Sequence, residues 1–419
     1  MVLSPFMMLC GVGLLAIFSS TISKSPALPL LVDYLDGDPA MLGLVAAVSA
    51  ATGIIFSLPA GLLSDRIGRR RMLLVAAVVF ATAPFLYPLA VTPWHLILIR
   101  LYHGLATAIF IPVALAMVGD LYQQSRGEKM GWFSTATLLG RFAAPATGGM
   151  LLGLYGADPA KGFLVVYLVC GGAGVAVLLA SLALPVAAPA SSTGPAGPAA
   201  AVASAATTRD HASSPAPVAA DGNWRSDLYD LLGNRPLMAT CAVEAAILFA
   251  YGVFETFLPL HALAVGLSVY QIGICLSAQI ITVALLKPLL GRFSDRHGRP
   301  PQILFGTLAS GVTILLFARV ESFPGLLLLS MILGLTIALV SAAVAAHIAD
   351  LSRRGRGGSA MGMLGSIMDI GHTAGPLLGG LLAFYFGMPA AFLGAAGVLF
   401  LAAACFPFSQ RMSRAQGRG

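Results

Sequence analysis

Long apolar runs separated by short polar breaks fill almost the whole chain. A helix needs about 20 apolar residues to cross roughly 30 Å of hydrocarbon, and twelve runs reach that length. They lie near residues 6–32, 40–63, 72–90, 93–118, 132–155, 162–185, 236–263, 271–291, 302–319, 324–349, 360–384 and 388–408. The pattern predicts an all-α membrane protein with twelve transmembrane helices.

One segment interrupts this pattern and divides the runs into two sets of six. Residues 186–223 are rich in Ala, Pro, Ser and Gly, so they cannot bury a core, and they predict a disordered tether. Residues 224–235 predict a short amphipathic helix at the membrane surface. We therefore expect an N-terminal bundle at 1–185, a largely disordered cytoplasmic linker at 186–235, a C-terminal bundle at 236–409 and a cytoplasmic tail at 410–419.

Composition agrees with a position in the membrane. The chain has 419 residues, 58% hydrophobic and 10% charged, with mean hydropathy +0.88, whereas soluble domains average about 25% charged residues. Its net charge of +7 comes mainly from Lys and Arg in breaks on one side, as the positive-inside rule requires of cytoplasmic loops. We expect a multi-pass monomer of the inner (plasma) membrane with both termini cytoplasmic, contacting lipid and no nucleic acid. The first run lacks a basic start, which favours a span over a cleaved secretory signal.

The most informative break is a basic stretch between the second and third runs. Residues 61–71 read GLLSDRIGRRR, and residues 291–300 read GRFSDRHGRP between the eighth and ninth runs. The two stretches correspond at an offset of 230 positions, as do Asp120 and Asp350. We infer a duplication into two parallel six-helix repeats, with a substrate site between them.

This basic stretch resembles the signature loop of the major facilitator superfamily, which lies between helices 2 and 3 and recurs, weaker, between helices 8 and 9. The matching positions are Gly61, Asp65, Arg66, Gly68, Arg69 and Arg70. The resemblance implies the fold of that family, a small-molecule substrate, and an inner-gate latch in which Asp65 meets a terminus of helix 11. Asp295 and Arg296 would form its weaker counterpart. The other interpretation is a charge cluster that only orients the chain.

A basic residue lies inside the fourth span. Arg100, His103 and Gly104 fall on one helical face and resemble the helix 4 motif of proton-linked drug efflux members of the family, in which the Arg is tied to proton transfer. A permanent cation in hydrocarbon costs at least about 2.5–3.5 kcal/mol, so such a residue usually faces a cavity. The alternative is that Arg100 extends to the outer headgroups. His103, which replaces the usual Gln, either packs or titrates.

Two carboxylates lie inside the seventh span, Glu244 and Glu255. They are three turns apart, on nearly one face, and neither has a basic residue within one turn, so their partners must come from other helices. Such groups are natural proton carriers because burial favours the protonated form. Glu255 is our first candidate for proton coupling. Glu244 is the second, with a structural hydrogen bond as its alternative role.

The fifth and eleventh spans carry small residues at every fourth position together with a proline, which predicts close packing and a kink. These residues are Gly140, Pro145, Gly371, Gly375 and Pro376. Helix 5 also resembles the antiporter motif of the family, except that Ala144 stands where that motif has Gly. Packing does not account for three polar side chains in the same spans. We assign Arg141, His372 and Asp369 to the cavity for substrate and protons.

Lys24 lies in the first span, where related drug antiporters often carry an acid. At the offset of 230, Lys24 and Ser25 correspond to Phe254 and Glu255. Lys24 and Glu255 therefore lie at nearly equivalent levels of helices 1 and 7. A partly buried charge is costly unless paired, so we expect these two to pair when the pathway is closed to the outside. The alternative is that Lys24 extends to outer headgroups.

Together these residues predict proton-coupled efflux of a small organic or amphipathic compound by alternating access. Proton- or ion-coupled uptake of a small organic solute, including an anionic one, is the alternative. A membrane scaffold or sensor that does not transport is a more remote one. The sequence has no nucleotide-binding, nucleophile or metal-ligand pattern, so we expect neither an enzyme nor a cofactor or bound metal.

Overall fold

The computed structural model describes residues 4–122, 125–184, 233–351 and 357–416. These residues form twelve long helices, α1 to α12, and the predicted tether lies outside them, as does most of the predicted surface helix. The helices are α1, in two segments, Pro5–Ile22 and Ala27–Tyr34; α2, Pro39–Ile67; α3, Arg69–Thr82, continued by the 3-10 helix Ala83–Leu89; α4, Pro93–Leu121; α5, Arg126–Leu154; α6, Pro159–Leu182; α7, Arg235–Ala264; α8, Val269–His297; α9, Arg299–Phe317; α10, Phe323–Leu351; α11, Gly357–Phe386; and α12, Met388–Gln416.

Several helices begin at local signals that are visible in the sequence. Asp38 caps α2 by accepting a hydrogen bond from the backbone N–H of Met41 at 2.7 Å, and a proline follows the cap. Ser268 and Gln271 form a reciprocal capping box at the start of α8. Such caps satisfy backbone donors that the first turn leaves unpaired, so each helix starts at a defined residue.

The first span is broken in its outer part. The helical hydrogen-bond pattern of α1 stops at Ile22 and resumes at Ala27. Pro26 lies in this interruption and Pro29 follows it, and neither ring nitrogen can donate a hydrogen bond. The break lies at the level of Lys24, and transporters use interrupted helices to build binding sites near the middle of the membrane.

The basic stretch at 61–71 is less of a turn than the sequence suggested. α2 continues through Ile67, and Gly68 alone makes the turn, with φ 101°, before α3 begins at Arg69. Gly298 makes the corresponding turn between α8 and α9, with φ 88°. Charged residues can extend a helix beyond the apolar run into water. Here the helix ends where φ becomes positive, a conformation that glycine adopts without strain. We call the end of the bundle that carries these two turns the basic end.

Two other expectations about the helices change. α12 runs to Gln416, beyond the predicted boundary at 409. Among the described residues, eleven helices are long and apolar enough to span a membrane, and α5 is not one of them. Arg141 and many small or hydroxyl-bearing residues lower the hydropathy of α5, yet it packs between α1 and α8 within the bundle. The twelve-helix fold therefore stands, with α5 as its least apolar member.

The two halves meet along two related helix pairs, α2 with α11 and α5 with α8. In the first pair Gly43 lies against the carbonyl of Pro376, and at corresponding positions of the second pair Gly273 lies against the carbonyl of Pro145. A Cβ at either glycine would collide with backbone of the facing helix, so glycine permits the close approach. Both contacts lie far from the basic end. Gly43 and Gly273 are in the first turns of α2 and α8, and these helices reach the basic turns only at their last residues.

Candidate functional site

An ion pair joins the two halves at the interruption of α1. The Nζ atom of Lys24 lies 2.6 Å from Oε2 of Glu255 on α7. The Glu255 side chain is 10% exposed and the Lys24 side chain 24% exposed, so the pair is largely withdrawn from solvent. The contact anticipated from the duplication is present, and Lys24 reaches the carboxylate rather than the headgroups. Pairing of this kind offsets the cost of two charges in a weakly polar setting.

The same carboxylate contacts α11. Nε2 of His372 lies 3.5 Å from Oε2 of Glu255, and the His372 ring stacks on Tyr251 with centroids 5.7 Å apart. Tyr251 is one turn before Glu255 on α7 and was not anticipated, although the i, i+4 spacing could have suggested it. The pair also borders a small cavity whose other walls are Leu28, Pro29, Leu42, Ala46 and Thr256.

Two arginines add positive charge to this site. Arg141 of α5 is exposed and acts electrostatically on Lys24, Tyr251 and His372. Arg100 of α4 also acts on Lys24 but is only 3% exposed. Lys24 therefore has two cationic neighbours and one carboxylate partner among the described residues.

Arg100 belongs to a buried polar cluster in the N-terminal half. Its Nη1 atom donates to the hydroxyl of Tyr87 at 3.4 Å, and Nδ1 of His103 lies 3.2 Å from the same hydroxyl. The Tyr87 ring stacks on Tyr167 with centroids 4.3 Å apart, and Tyr167 donates to the carbonyl of Ser23 at 3.4 Å. The cluster thus links Arg100 to the backbone beside Lys24.

Neither tyrosine of this cluster was predicted. The only sequence signal was a phenol in an apolar run, whose hydroxyl needs a hydrogen-bond partner when buried. Nε of Arg100 and Nε2 of His103 have no hydrogen-bond partner among the described residues. The hydrogen-bonding groups of the cluster are therefore only partly satisfied. Unpaired polar groups on a buried cation lower the stability of the fold.

The remaining predicted acids lie apart from the ion pair. Glu244 accepts a hydrogen bond from the hydroxyl of Ser341 on α10 at 2.6 Å. Although Glu244 and Glu255 share a helix face, their neighbours differ because α7 faces α10 at one level and α1 and α11 at another. Asp369 is exposed and lies one turn before His372, and its backbone carbonyl accepts a hydrogen bond from the hydroxyl of Thr373 at 2.8 Å.

The basic turns form two matching charge clusters. Arg69 contacts Asp65 at 2.5 Å and Asp120, at the end of α4, at 3.1 Å. In the second half Arg299 contacts Asp295 at 3.4 Å and Asp350, at the end of α10, at 2.5 Å. The sequence matched the aspartates of α4 and α10 to each other but did not indicate that they bind these arginines.

The other predicted residues of the two turns lie at the surface, each within its own half. Arg70 donates to the carbonyl of Leu182 at the end of α6 at 2.5 Å, and Arg66 and Arg296 are exposed. Gly61 has open space around it. In this arrangement Asp65 is held within its own half.

The predicted small residues of α5 and α11 allow close packing within each half. Gly140 lies against the carbonyl of Leu14 on α1, and at the corresponding positions Gly371 lies against the carbonyl of Ala245 on α7. Gly375 approaches Phe249 of α7 in the same way. These contacts hold the helices that carry Arg141 and His372 tightly against those that carry Lys24 and Glu255.

The helices at the junction are more exposed near the basic end than far from it. In α2, residues 39–50 are buried or half-buried, whereas Ile55 and Leu62 are 60% and 59% exposed. In α8, residues 272–280 are similarly covered, but Leu285 and Leu289 are 65% and 59% exposed. Cover on these two helices therefore falls towards the basic end, and we call the opposite end, where Gly43 and Gly273 hold the halves together, the closed end.

A bundle of twelve helices in two related halves, with charged side chains at their junction, defines a membrane transporter. The Major Facilitator Superfamily matches residues 8–270 and 241–417. The chain belongs to this superfamily and is an integral multi-pass membrane protein. Among the described residues, no three His, Cys, Asp or Glu side chains are grouped as a metal site would require.

Relatives and solved structures of this superfamily resemble the chain over nearly its full length. An uncharacterised transporter of Methanocaldococcus jannaschii is 22% identical over 92% of the chain and 91% of its own length. The multidrug resistance protein MdtG of Proteus mirabilis is 26% identical over 90% of the chain and 88% of its own length. The crystal structure of the nucleoside transporter NupG matches with a TM-score of 0.77 and 16% identity, covering 97% of this chain and 99% of that one.

Proposed function

We propose that the protein is a secondary active transporter in which Glu255 couples substrate movement to protons. The observation that carries this proposal is the Lys24–Glu255 contact between the halves at 2.6 Å. Alternating access requires the halves to separate at the closed end, and separation would leave both charges without a partner. Protonation of Glu255 removes one of those charges. It therefore lowers the energetic cost of separating Lys24 from Glu255.

The orientation follows from the basic end. Lys and Arg concentrate in cytoplasmic loops, so the turns at Gly68 and Gly298 face the cytoplasm in this proposal. Both termini then lie on that side, in the inner membrane, and the arrangement is open inward. A monomer suffices, because the site lies between two halves of one chain.

Asp65 and its counterpart act at the inner gate in this proposal. When the halves close at the basic end, the negative charge of Asp65 meets a terminus of α11, with Arg66, Arg69 and Arg70 around it. In this structure Asp65 contacts Arg69 of its own half, so in this proposal its contact with α11 forms only when the basic end closes.

Efflux of a small organic or amphipathic compound is the direction that the relatives favour, since MdtG is named a multidrug resistance protein. Proton-coupled uptake of an anionic solute is the second candidate. The cations around Lys24 favour it. A scaffold without transport is disfavoured, because charged groups within the spans are costly to maintain without function.

Substitution of Glu255 tests the proposal in everted vesicles with an acidified lumen. Lipophilic dyes and organic acids are supplied either outside the vesicles or inside the lumen and are screened with a pH-sensitive probe. Exchange predicts proton flux out of the lumen when the ligand is outside, and cotransport predicts it when the ligand is in the lumen; the parent protein should show one of the two. Glu255→Gln keeps the shape of the side chain and removes its titration, so flux should vanish while ligand counterflow persists. Glu321→Gln, at an exposed acid outside the site, is the control and should behave as the parent does. Unchanged proton flux in Glu255→Gln would move the role to Glu244 or Asp369.

A further inference from the structure

We propose that the substrate carries an anionic group, which replaces Glu255 on Lys24 while Glu255 takes a proton. Substrate anion and proton then occupy the site together and move in the same direction. The inference rests on the proposed proton-coupled transport, and of its two candidates it selects proton-coupled uptake of an anionic solute over efflux by exchange.

The charges around the ion pair support an anionic ligand. Arg100 and Arg141 both act electrostatically on Lys24, and Glu255 is the acid that acts on Lys24 among the described residues. The ion pair and the two arginines near it thus carry three positive charges and one negative charge. Asp369 does not change this balance, because no charged group of the described residues acts on it, and Glu244 is bound to Ser341 at another level.

Access to the site favours an anion as well. Lys24 is 24% exposed at its side chain and Arg141 is exposed, whereas Glu255 is 10% exposed. The two cations, Lys24 and Arg141, are therefore more accessible to a ligand than the carboxylate is. Among the described residues, α2 lines the small cavity at the pair with Leu42 and Ala46, so this wall of the cavity is apolar.

The proton follows from the displacement of Glu255. If an anion binds the Lys24 ammonium in place of Glu255, the contact that remains to the carboxylate among the described residues is His372 at 3.5 Å. The His372 imidazole is itself stacked on Tyr251. An unpaired carboxylate at this depth is costly, and protonation is the least costly relief. One ligand anion and one proton enter, and the net charge of the site does not change. A cationic ligand would instead need to displace Lys24 into the field of two arginines.

Proton exchange on ligand binding tests the inference in purified protein. The protein is held in weak buffer with a pH-sensitive dye and given benzoate, 1-naphthoate, an aryl sulfonate or tetraphenylphosphonium. We expect at least one of the anions to bind, and to draw protons from solution as it binds. The inference is overturned if none of the anions binds, or if binding releases protons.

Three variants locate the effect. Glu255→Gln should bind the anion without proton uptake and with no dependence on pH, because Lys24 is free in that variant. Lys24→Met should weaken anion binding by about tenfold or more, the size expected for loss of a charge-assisted contact. Lys161→Met, at an exposed lysine paired with Asp158 at 2.9 Å, should stay within about twofold.

These outcomes separate the inference from the proposed function. If the everted-vesicle assay finds flux that depends on Glu255 but tetraphenylphosphonium is the ligand, only the anionic substrate is wrong. If anions bind to Lys24 but no pH gradient drives their movement, the coupling itself is wrong. Anion binding that is retained in Lys24→Met overturns the assigned position of the ligand.

Discussion

The two halves have almost the same contacts at their turns and interfaces and very different ones at the site. Gly68 and Gly298 make equivalent turns, and an arginine after each bridges two aspartates. The glycine–proline contacts between the halves also occur twice. In contrast, the position of Lys24 is held by Phe254 in the second half, and that of Glu255 by Ser25 in the first.

The difference extends into the interior of each half. At the offset of 230, the buried polar residues of the first half correspond to less polar ones in the second. The correspondences are Tyr87 with Phe317, Arg100 with Ser330 and His103 with Leu333. Phe317 packs between Phe254 and Phe392, with ring centroids 5.2 Å and 6.0 Å away, where the first half has its hydrogen-bonded cluster.

This contrast separates the mechanical parts from the chemical ones. Turns and close backbone contacts must work in both halves, because the halves rock against each other about a common axis. A site between the halves gains from asymmetry, since an ion pair needs one sign of charge on each side. Duplicated residues are therefore expected to govern the open–closed equilibrium, and divergent residues to govern binding and coupling.

The largest effect is expected at a duplicated interface glycine. Gly43→Leu places a side chain against the backbone of α11 at Pro376, so the closed end cannot close. Overpacking costs about 1–3 kcal/mol, which shifts the equilibrium between the two open states by about fivefold to about 150-fold. Labelling of an introduced cysteine at the far end should rise, and transport should fall to background.

Gly53→Leu is the matched control for this change, because it lies on the same helix with open space around it. It should leave labelling and transport within about twofold of the parent, as surface substitutions usually do. Equal effects of the two variants would mean that the contact of α2 with α11 does not govern closure.

A smaller, reversible effect is expected when the divergent charges are exchanged between the halves. Lys24→Glu alone and Glu255→Lys alone each place like charges opposite one another, so each should favour separation at the closed end. The double variant restores the pair with reversed polarity and should restore closure, measured by the same cysteine labelling. If the double variant is labelled as fast as the single ones, the contact at 2.6 Å does not act as a gate.

Much of this architecture can be predicted from the sequence because membranes impose strong local rules. Run lengths gave the helices, and the offset of 230 placed Lys24 and Glu255 at equivalent levels. Helix ends were less predictable, since Asp65 extends α2 past its apolar run until Gly68 stops it.

The polar cluster could not be predicted for a different reason. Tyr87 lies in a 3-10 continuation of α3, Arg100 in α4 and Tyr167 in α6, so their contacts depend on how three helices pack. Periodicity within one helix carries no information on such contacts. The same limit explains Glu244, whose partner Ser341 depends on which helix lies opposite α7 at that level.

The smallest effects are expected at the charge clusters of the basic end, where they can separate a latch from a local ion pair. Asp65 and Asp120 both bind Arg69, at 2.5 Å and 3.1 Å, and both are about half exposed, so each contact contributes about 0.2–1 kcal/mol.

If Asp65 acts only through Arg69, Asp65→Asn and Asp120→Asn should lower turnover equally and slightly. If Asp65 also meets α11 when the basic end closes, only Asp65→Asn should lower turnover severalfold, with equilibrium affinity within a few-fold of the parent. Asp295→Asn, in the weaker counterpart, should have an intermediate effect. Turnover and affinity are measured separately in proteoliposomes, and a collapse of affinity with normal turnover in Asp65→Asn would exclude the latch.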